Sequence, residues 1–237
     1  MVLVCSSAWA AGPATDTYNW TGFYGGLNAG LVANDSSYTA GPAGLLAKEL
    51  PPEELPFVTH SGNLNNCSAT FGGQVGYNYQ CGCFVYGLET DFNYNGSSTS
   101  VTGPTFLFPG GTYTGNQQID YFGTLRARLG YTPANRLLLY VTGGLAYGDV
   151  SSSTTSYTPV GLFYGSSSGM QAGWTAGFGT EYAITNCWSI KLEYLYIDLG
   201  STSYTSGFPD IPGVGAVYST NVDTAQHIMR VGFNFKF

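Results

Sequence analysis

The side chains able to do chemistry in this 237-residue chain are few, and most of them fall at one parity of an alternating pattern. Glu89 and Asp91 stand two apart, as do Arg126 and Arg128, and Lys191 and Glu193. Asp120, Glu181, Arg230 and Lys236 take the same side of their own segments. A two-residue step keeps side chains on one face of a β-strand. Acids and bases interleaved on such a face suit mutual ion pairing, and burying them demands it.

Reaction chemistry finds little else to use. His60 falls in a long connection and reads as a solvated loop residue. His227 sits on the apolar parity near the end of the last segment, at a depth where a lipid-modifying enzyme would place a general base. The same-face position two along is Met229 rather than Ser or Thr, so an esterase or deacylase lacks its nucleophile and no catalytic residue is assigned. Past Cys5, the cysteines are Cys67, Cys81, Cys83 and Cys187. One residue between Cys81 and Cys83 is poor geometry for a bridge, and zinc needs a wider spacing with a second ligand pair, so neither a disulfide framework, a metal site nor a cofactor is expected. Gly72-Gly73 and Gly143-Gly144 are not phosphate loops, because no helix start follows them. They read as room for bulky inward Arg and Tyr side chains.

The elements that carry these residues follow from composition and period. Charged residues make up 9% of the chain, against roughly 25% in ordinary soluble domains, while Gly, Tyr and Phe number 34, 19 and 14. A surface of charged helices cannot be built from this, and a net charge of −7 removes the basic footprint of a nucleic-acid binder. No apolar run reaches the ~18 residues of a membrane helix. Period two recurs instead. Phe84, Tyr86, Leu88, Thr90, Phe92 and Tyr94 alternate with Glu89, Asp91 and small or polar residues; Ile119, Tyr121, Leu125, Ala127, Leu129 and Tyr131 oppose Arg126 and Arg128.

Eight such segments are joined by connections that alternate in length: long at 33–69, 95–118, 149–169 and 199–223, short at 80–83, 132–136 and 184–187. Long external loops alternating with tight periplasmic turns predict an all-β, eight-stranded antiparallel transmembrane up-and-down barrel with both termini periplasmic. A soluble sandwich would also alternate, but its wetted face would have thin charge cover. In the barrel the apolar face meets lipid, and the ten charges fill an interior just wide enough for side chains. Glu181 is expected to pair with Lys191 if the hairpin turns about Asn186, Glu193 with Arg230, and Glu89 or Asp91 with Arg126 or Arg128. Aromatic girdles are expected at both strand ends, from Phe23, Phe84, Tyr131, Tyr182 and Trp188 near the short turns and Tyr147 and Trp174 near the long connections. Residues 1–10, with Ala8-Trp9-Ala10 as a small-x-small site, read as the remnant of a signal peptide, 11–18 as a periplasmic segment, and 19–237 as the barrel with four long external loops.

Four stretches carry a family likeness: Asn19 to Gly30 (NWTGFYGGLNAG), Val85 to Asp91 (VYGLETD), Lys191 to Gly200 (KLEYLYIDLG) and Arg230 to Phe237 (RVGFNFKF). The sequence resembles, over residues 17–237, the outer membrane immunogenic proteins of Gram-negative bacteria, within the porin-like, OmpA-type small barrels. The resemblance implies a place in the outer membrane among its lipids. It also implies that Phe233, Phe235 and Phe237 form the carboxy-terminal signal read by the barrel assembly machinery. Cysteines in the short turns and a Pro/Glu-bearing insertion from Ala47 to Phe57, with room for one helical turn, depart from the family pattern. The reading is a non-enzymatic, structural and surface-presenting protein whose external loops would contact a host molecule or other surface ligand; the alternative is a narrow passive porin.

Overall fold

The computed structural model describes residues 18–49, 51, 53, 59–104, 111–158, 161–207 and 218–237. The expected signal remnant at 1–10, and residues 11–17 of the expected periplasmic segment, lie outside these residues; Tyr18, the last of that segment, is buried in the mouth of the barrel. The strands are β1 (Gly22–Pro42), β2 (His60–Asn63), β3 (Asn66–Cys81), β4 (Phe84–Pro104), β5 (Thr112–Ala134), β6 (Leu137–Thr158), β7 (Gly161–Ala183), β8 (Trp188–Ser206) and β9 (Tyr218–Lys236), with a short helix α1 (Gly44–Glu49) after β1. Every neighbouring pair is antiparallel, and β9 pairs back onto β1 from Tyr24↔Lys236 to Pro42↔Tyr218, which closes the ring. Against β1, β2 and β3 keep one register, Ser37↔Asn63 and Asn34↔Asn66, so they are one strand broken at Leu64 and Asn65. The barrel therefore has eight strands.

The periplasmic turns fall where the short connections were expected. The external side differs. Most of the chain expected as long loop is strand: β6 and β7 pair out to Thr158↔Gly161, and β1 and β9 out to Pro42↔Tyr218. These segments are Ser-, Thr- and Tyr-rich. Thr and Tyr favour extended backbone, but polarity on both faces erases the apolar alternation by which a strand is recognised.

The extension is not a continuous cylinder. The backbone ladder between β3 and β4 stops at Thr70↔Asn95, beyond which Asn66 Nδ2 still donates to the Ser98 carbonyl at 2.8 Å; the ladder between β7 and β8 stops at Trp174↔Asp198, with a single bridge further out at Tyr164↔Gly207. Beyond these points the wall divides into two four-stranded arrays, one from β4 to β7 and one from β8 through β9 and β1 to β2. Bulges cluster at this transition, opposite Tyr94/Ser97, Ile119/Phe122 and Asp198/Ser201. The last contains Gly200 at φ 73°, a left-handed conformation that favours glycine. The β5 bulge resets the inside–outside alternation: Ile119, expected on the lipid face, is buried inside, and Asp120 leaves the interior.

Below the bulges the outer wall is apolar. Leu27 is 74% exposed, Phe23 67% and Leu145 65%, with Leu88, Phe178, Val141 and Leu192 continuing the belt. A contiguous exposed surface of this kind is untenable in water and correct for lipid. At the periplasmic rim Phe84 stacks beside Tyr131 (5.8 Å between ring centres) and Trp188 beside Phe233 and Phe235 (5.0 and 4.8 Å). At the outer rim Phe71 meets Tyr94, Phe92 meets Tyr121, and Trp174 meets Tyr196, at 5.3–5.5 Å.

Candidate functional site

The interior is stacked in layers. At the periplasmic mouth the chain ahead of β1 folds inward, and Tyr18 and Trp20 are buried against Val85, Leu138, Tyr140 and Ala183. Their backbone amides donate to Asn135 Oδ1 and Gln80 Oε1, both at 2.8 Å. Lys236 belongs to this plug, not to the charge network expected for it: its Nζ donates to the Asn19 carbonyl and lies 4.4 Å from the centre of the Tyr18 ring.

Above the plug, four bases and four acids are buried together: Arg126, Arg128, Lys191 and Arg230 with Glu89, Asp91, Glu181 and Glu193. Arg126 reaches three carboxylates, Glu89 at 2.5 Å, Asp91 at 2.8 Å and Glu193 at 3.0 Å. Arg230 holds Glu193 at 2.7 Å and Asp91 at 2.8 Å, and Lys191 holds Glu89 at 2.8 Å. The register sets Glu181 opposite Lys191, as the hairpin symmetry predicts, but the expected ion pair does not form. Glu181 binds Arg128 at 2.5 Å, and Lys191 turns to Glu89. Across a lumen this narrow, a long side chain reaches strands on the far wall, so the partner follows from charge balance in the layer and not from strand neighbourhood alone.

Neutral donors complete the layer. Tyr24 Oη donates to Glu89 (2.7 Å), Tyr140 Oη to Glu193 (3.0 Å), Ser189 to Glu181 (2.5 Å) and Thr124 to Asp91 (2.8 Å). The Arg128 guanidinium carbon lies 3.7 Å from the centre of the Tyr140 ring. Sequence reasoning left these out, although all stand at the inward parity. The room for inward tyrosines expected at Gly72-Gly73 and Gly143-Gly144 is found at other glycines: a Cβ on Gly76 or Gly179 would collide with the hydroxyl of Tyr24 or Tyr140, whereas one on Gly72 or Gly144 would meet the backbone of the neighbouring strand. Asp120 stands apart from the network and accepts a 2.7 Å hydrogen bond from Gln118.

Outward of the charges lies an apolar layer of Val32, Ile119, Phe122, Ala146, Val150, Leu195, Ile197, Leu199 and Ile228. Beyond it Asn34, Ser97, Gln117, Thr224 and Gln226 form a polar layer. Last, the two arrays of the extension are clamped by Tyr38, Leu64, Tyr204 and Val222 packing on Val101 and Tyr113, with Thr154 and Tyr204 hydroxyls 2.6 Å apart.

Among the described residues the remaining candidates do not assemble a reaction centre. His227 Nδ1 lies 2.7 Å from the Tyr194 hydroxyl, and its cross-strand neighbours are Ala33 and Tyr196, neither able to act as the missing serine. His60 pairs through its backbone with Ala40. Cys67, Cys83 and Cys187 are free and exposed, so Cys81 and Cys83 do not bridge each other, as their spacing predicts; Cys81 is nevertheless disulfide-bonded, where no disulfide framework was expected.

A family model described as "Outer membrane protein beta-barrel domain" matches residues 1–237. The chain belongs to this family. It is 38% identical over 234 residues to the 31 kDa outer-membrane immunogenic protein of Brucella melitensis, covering 98% of this chain and 89% of that one. It is also 38% identical over 136 residues to a 22 kDa outer membrane protein of Rhizobium leguminosarum, covering 56% and 55% of the two chains. Among solved structures, OprG of Pseudomonas aeruginosa superposes with a TM-score of 0.51 at 13% identity, over 93% of this chain and 98% of that one. The outer membrane protease OmpT of Escherichia coli does so with a TM-score of 0.51 at 12% identity, over 94% and 100%. These structural likenesses carry the fold alone. The protein is an outer-membrane β-barrel related to outer-membrane immunogenic proteins, and the apolar belt is its lipid-facing surface.

Proposed function

We propose that this barrel is a non-enzymatic, structural and surface-presenting protein: a closed membrane plug that carries a rigid extension into the medium. The observation behind this reading is the stacked interior. An aromatic plug, a neutralised charge layer and a nine-residue apolar layer fill the lumen in succession, and an eight-stranded barrel has little more width than side chains occupy. Antigenic or adhesive contact belongs to the extension, which stands beyond the outer girdle. The naming of relatives as immunogenic proteins supports an antigenic role. Assembly through Phe233, Phe235 and Phe237 by the barrel machinery is part of the same reading, since these residues close the last strand on the lipid side.

Planar-bilayer recording of the purified barrel tests it. Membranes containing the protein are expected to stay silent. Reproducible open steps would replace the plug with the rival reading, a narrow passive porin.

A further inference from the structure

On the outward face of the β4–β7 array the register aligns hydroxyl and amide side chains across all four strands. Ser98, Gln118, Ser151 and Ser168 form one row, and Ser100, Asn116, Ser153 and Ser166 the next. Above them Thr155 pairs with Tyr164, a residue 48% exposed. The surface is indented, and the two rows together with Tyr164 line a groove of about 600 Å³. No Lys or Arg lines it. Asp120 accepts a hydrogen bond from Gln118 at its lower edge, and Asp149 stands two positions below Ser151.

We infer that this groove binds the uncharged saccharide portion of the surrounding outer-leaflet glycolipid. Hydroxyls and amides both donate and accept, which matches a polyhydroxylated ring. An exposed tyrosine offers an apolar face and a polar tip, and neighbouring carboxylates disfavour phosphate or acidic sugars. Position selects the source. Ser151 and Ser153 follow the outer-girdle Tyr147 by four and six residues on β6, about 10–15 Å further out for a tilted strand, and the groove faces sideways along the membrane. An open, neutral groove has weak intrinsic affinity. A ligand whose acyl chains are anchored beside the apolar belt is presented at an effective concentration on the order of millimolar, whereas a free glycan is not.

The test uses the full chain in nanodiscs containing either lipopolysaccharide with its core sugars or the same lipid truncated to lipid A. Amide exchange in residues 98–100, 151–153 and 166–168 is expected to slow about ten-fold with core sugars, as when the unliganded fraction falls to about one tenth, while 201–206 on the opposite array stays unchanged. Equal exchange in the two discs, or slowing shared by both arrays, would overturn the inference. Ser100→Leu with Ser153→Leu should abolish the difference, and a folded variant that keeps it also overturns the inference. A second arm needs no variant. Core oligosaccharide freed from lipid and added to lipid A discs should protect the same segments only at millimolar levels. Full protection at micromolar levels would assign the groove to a soluble glycan and end the glycolipid reading.

Discussion

The membrane half and the outer extension use the same strands with opposite solvents, and they are held together differently. In the membrane half, lipid takes the apolar side chains and the interior is ionic: Arg126 alone binds Glu89, Asp91 and Glu193. In the extension, the outside is polar and the inside carries Tyr38, Tyr113, Tyr204 and Val222. Where lipid bathes the wall, every backbone group must be paired within the sheet, so the ring is closed. Above the bulges, water can satisfy an open edge, and the β3/β4 and β7/β8 pairings lapse. A wall that must be sealed is built by hydrogen bonds all round; one that need not be is built like two packed sheets.

The sharpest way to break this contrast is to unbalance the charge layer. Arg126→Ala leaves three buried carboxylates short of a partner and is expected to lower stability by about 3–5 kcal/mol, the range for breaking a buried pair from one side. Urea unfolding in lipid measures it. An unmoved midpoint would mean that water already solvates the layer. The apolar layer should matter less. Phe122 has 0% exposure beneath the bulge, and Phe122→Ala is expected to cost about 3 kcal/mol, at the low end for buried aromatics, because neighbouring polar layers can admit water to the void. A loss larger than that of Arg126→Ala would invert the ranking and make the apolar layer the main internal support.

The same contrast explains what could be read from the chain. The membrane half was legible because lipid on one side and charge on the other force strict alternation, as from Phe84 to Tyr94, and the short turns bracket it. The members of the charge layer were legible for the same reason, but not all their pairings: Lys191 meets Glu89 across the lumen from β8 to β4, and Glu181 reaches past β6 to Arg128, contacts that no hairpin rule encodes. The bulge in β5 hid Ile119 and misplaced Asp120, since one extra residue inverts a period of two. The extension was read as loop because Ser-Ser-Ser-Thr-Thr-Ser at 151–156 has no face preference; its strands exist by pairing with neighbours that were themselves unrecognised.

The smallest expected effect separates the halves by pH. Burial, as the main cause, pushes the hydroxyls of Tyr113 and Tyr204 above the ordinary tyrosine value, so the folded clamp holds their protons more tightly than the unfolded chain does. Below about pH 10, where unfolded tyrosine is neutral, this contributes nothing that varies. As pH rises past that point, the unfolded state gains by ionising while the folded clamp cannot, and the clamp loses stability. Limited proteolysis by an alkali-tolerant protease should therefore cut the extension faster at about pH 11 than at pH 9, relative to a reference peptide, while the lipid-embedded strands stay intact. In Tyr113→Phe with Tyr204→Phe, which have no proton to lose, the pH-dependent part of that increase should shrink, leaving the share of Tyr218, whose hydroxyl burial also pushes up. If the double variant showed the full increase, the extension would be yielding to alkali somewhere other than at the tyrosines between its two arrays.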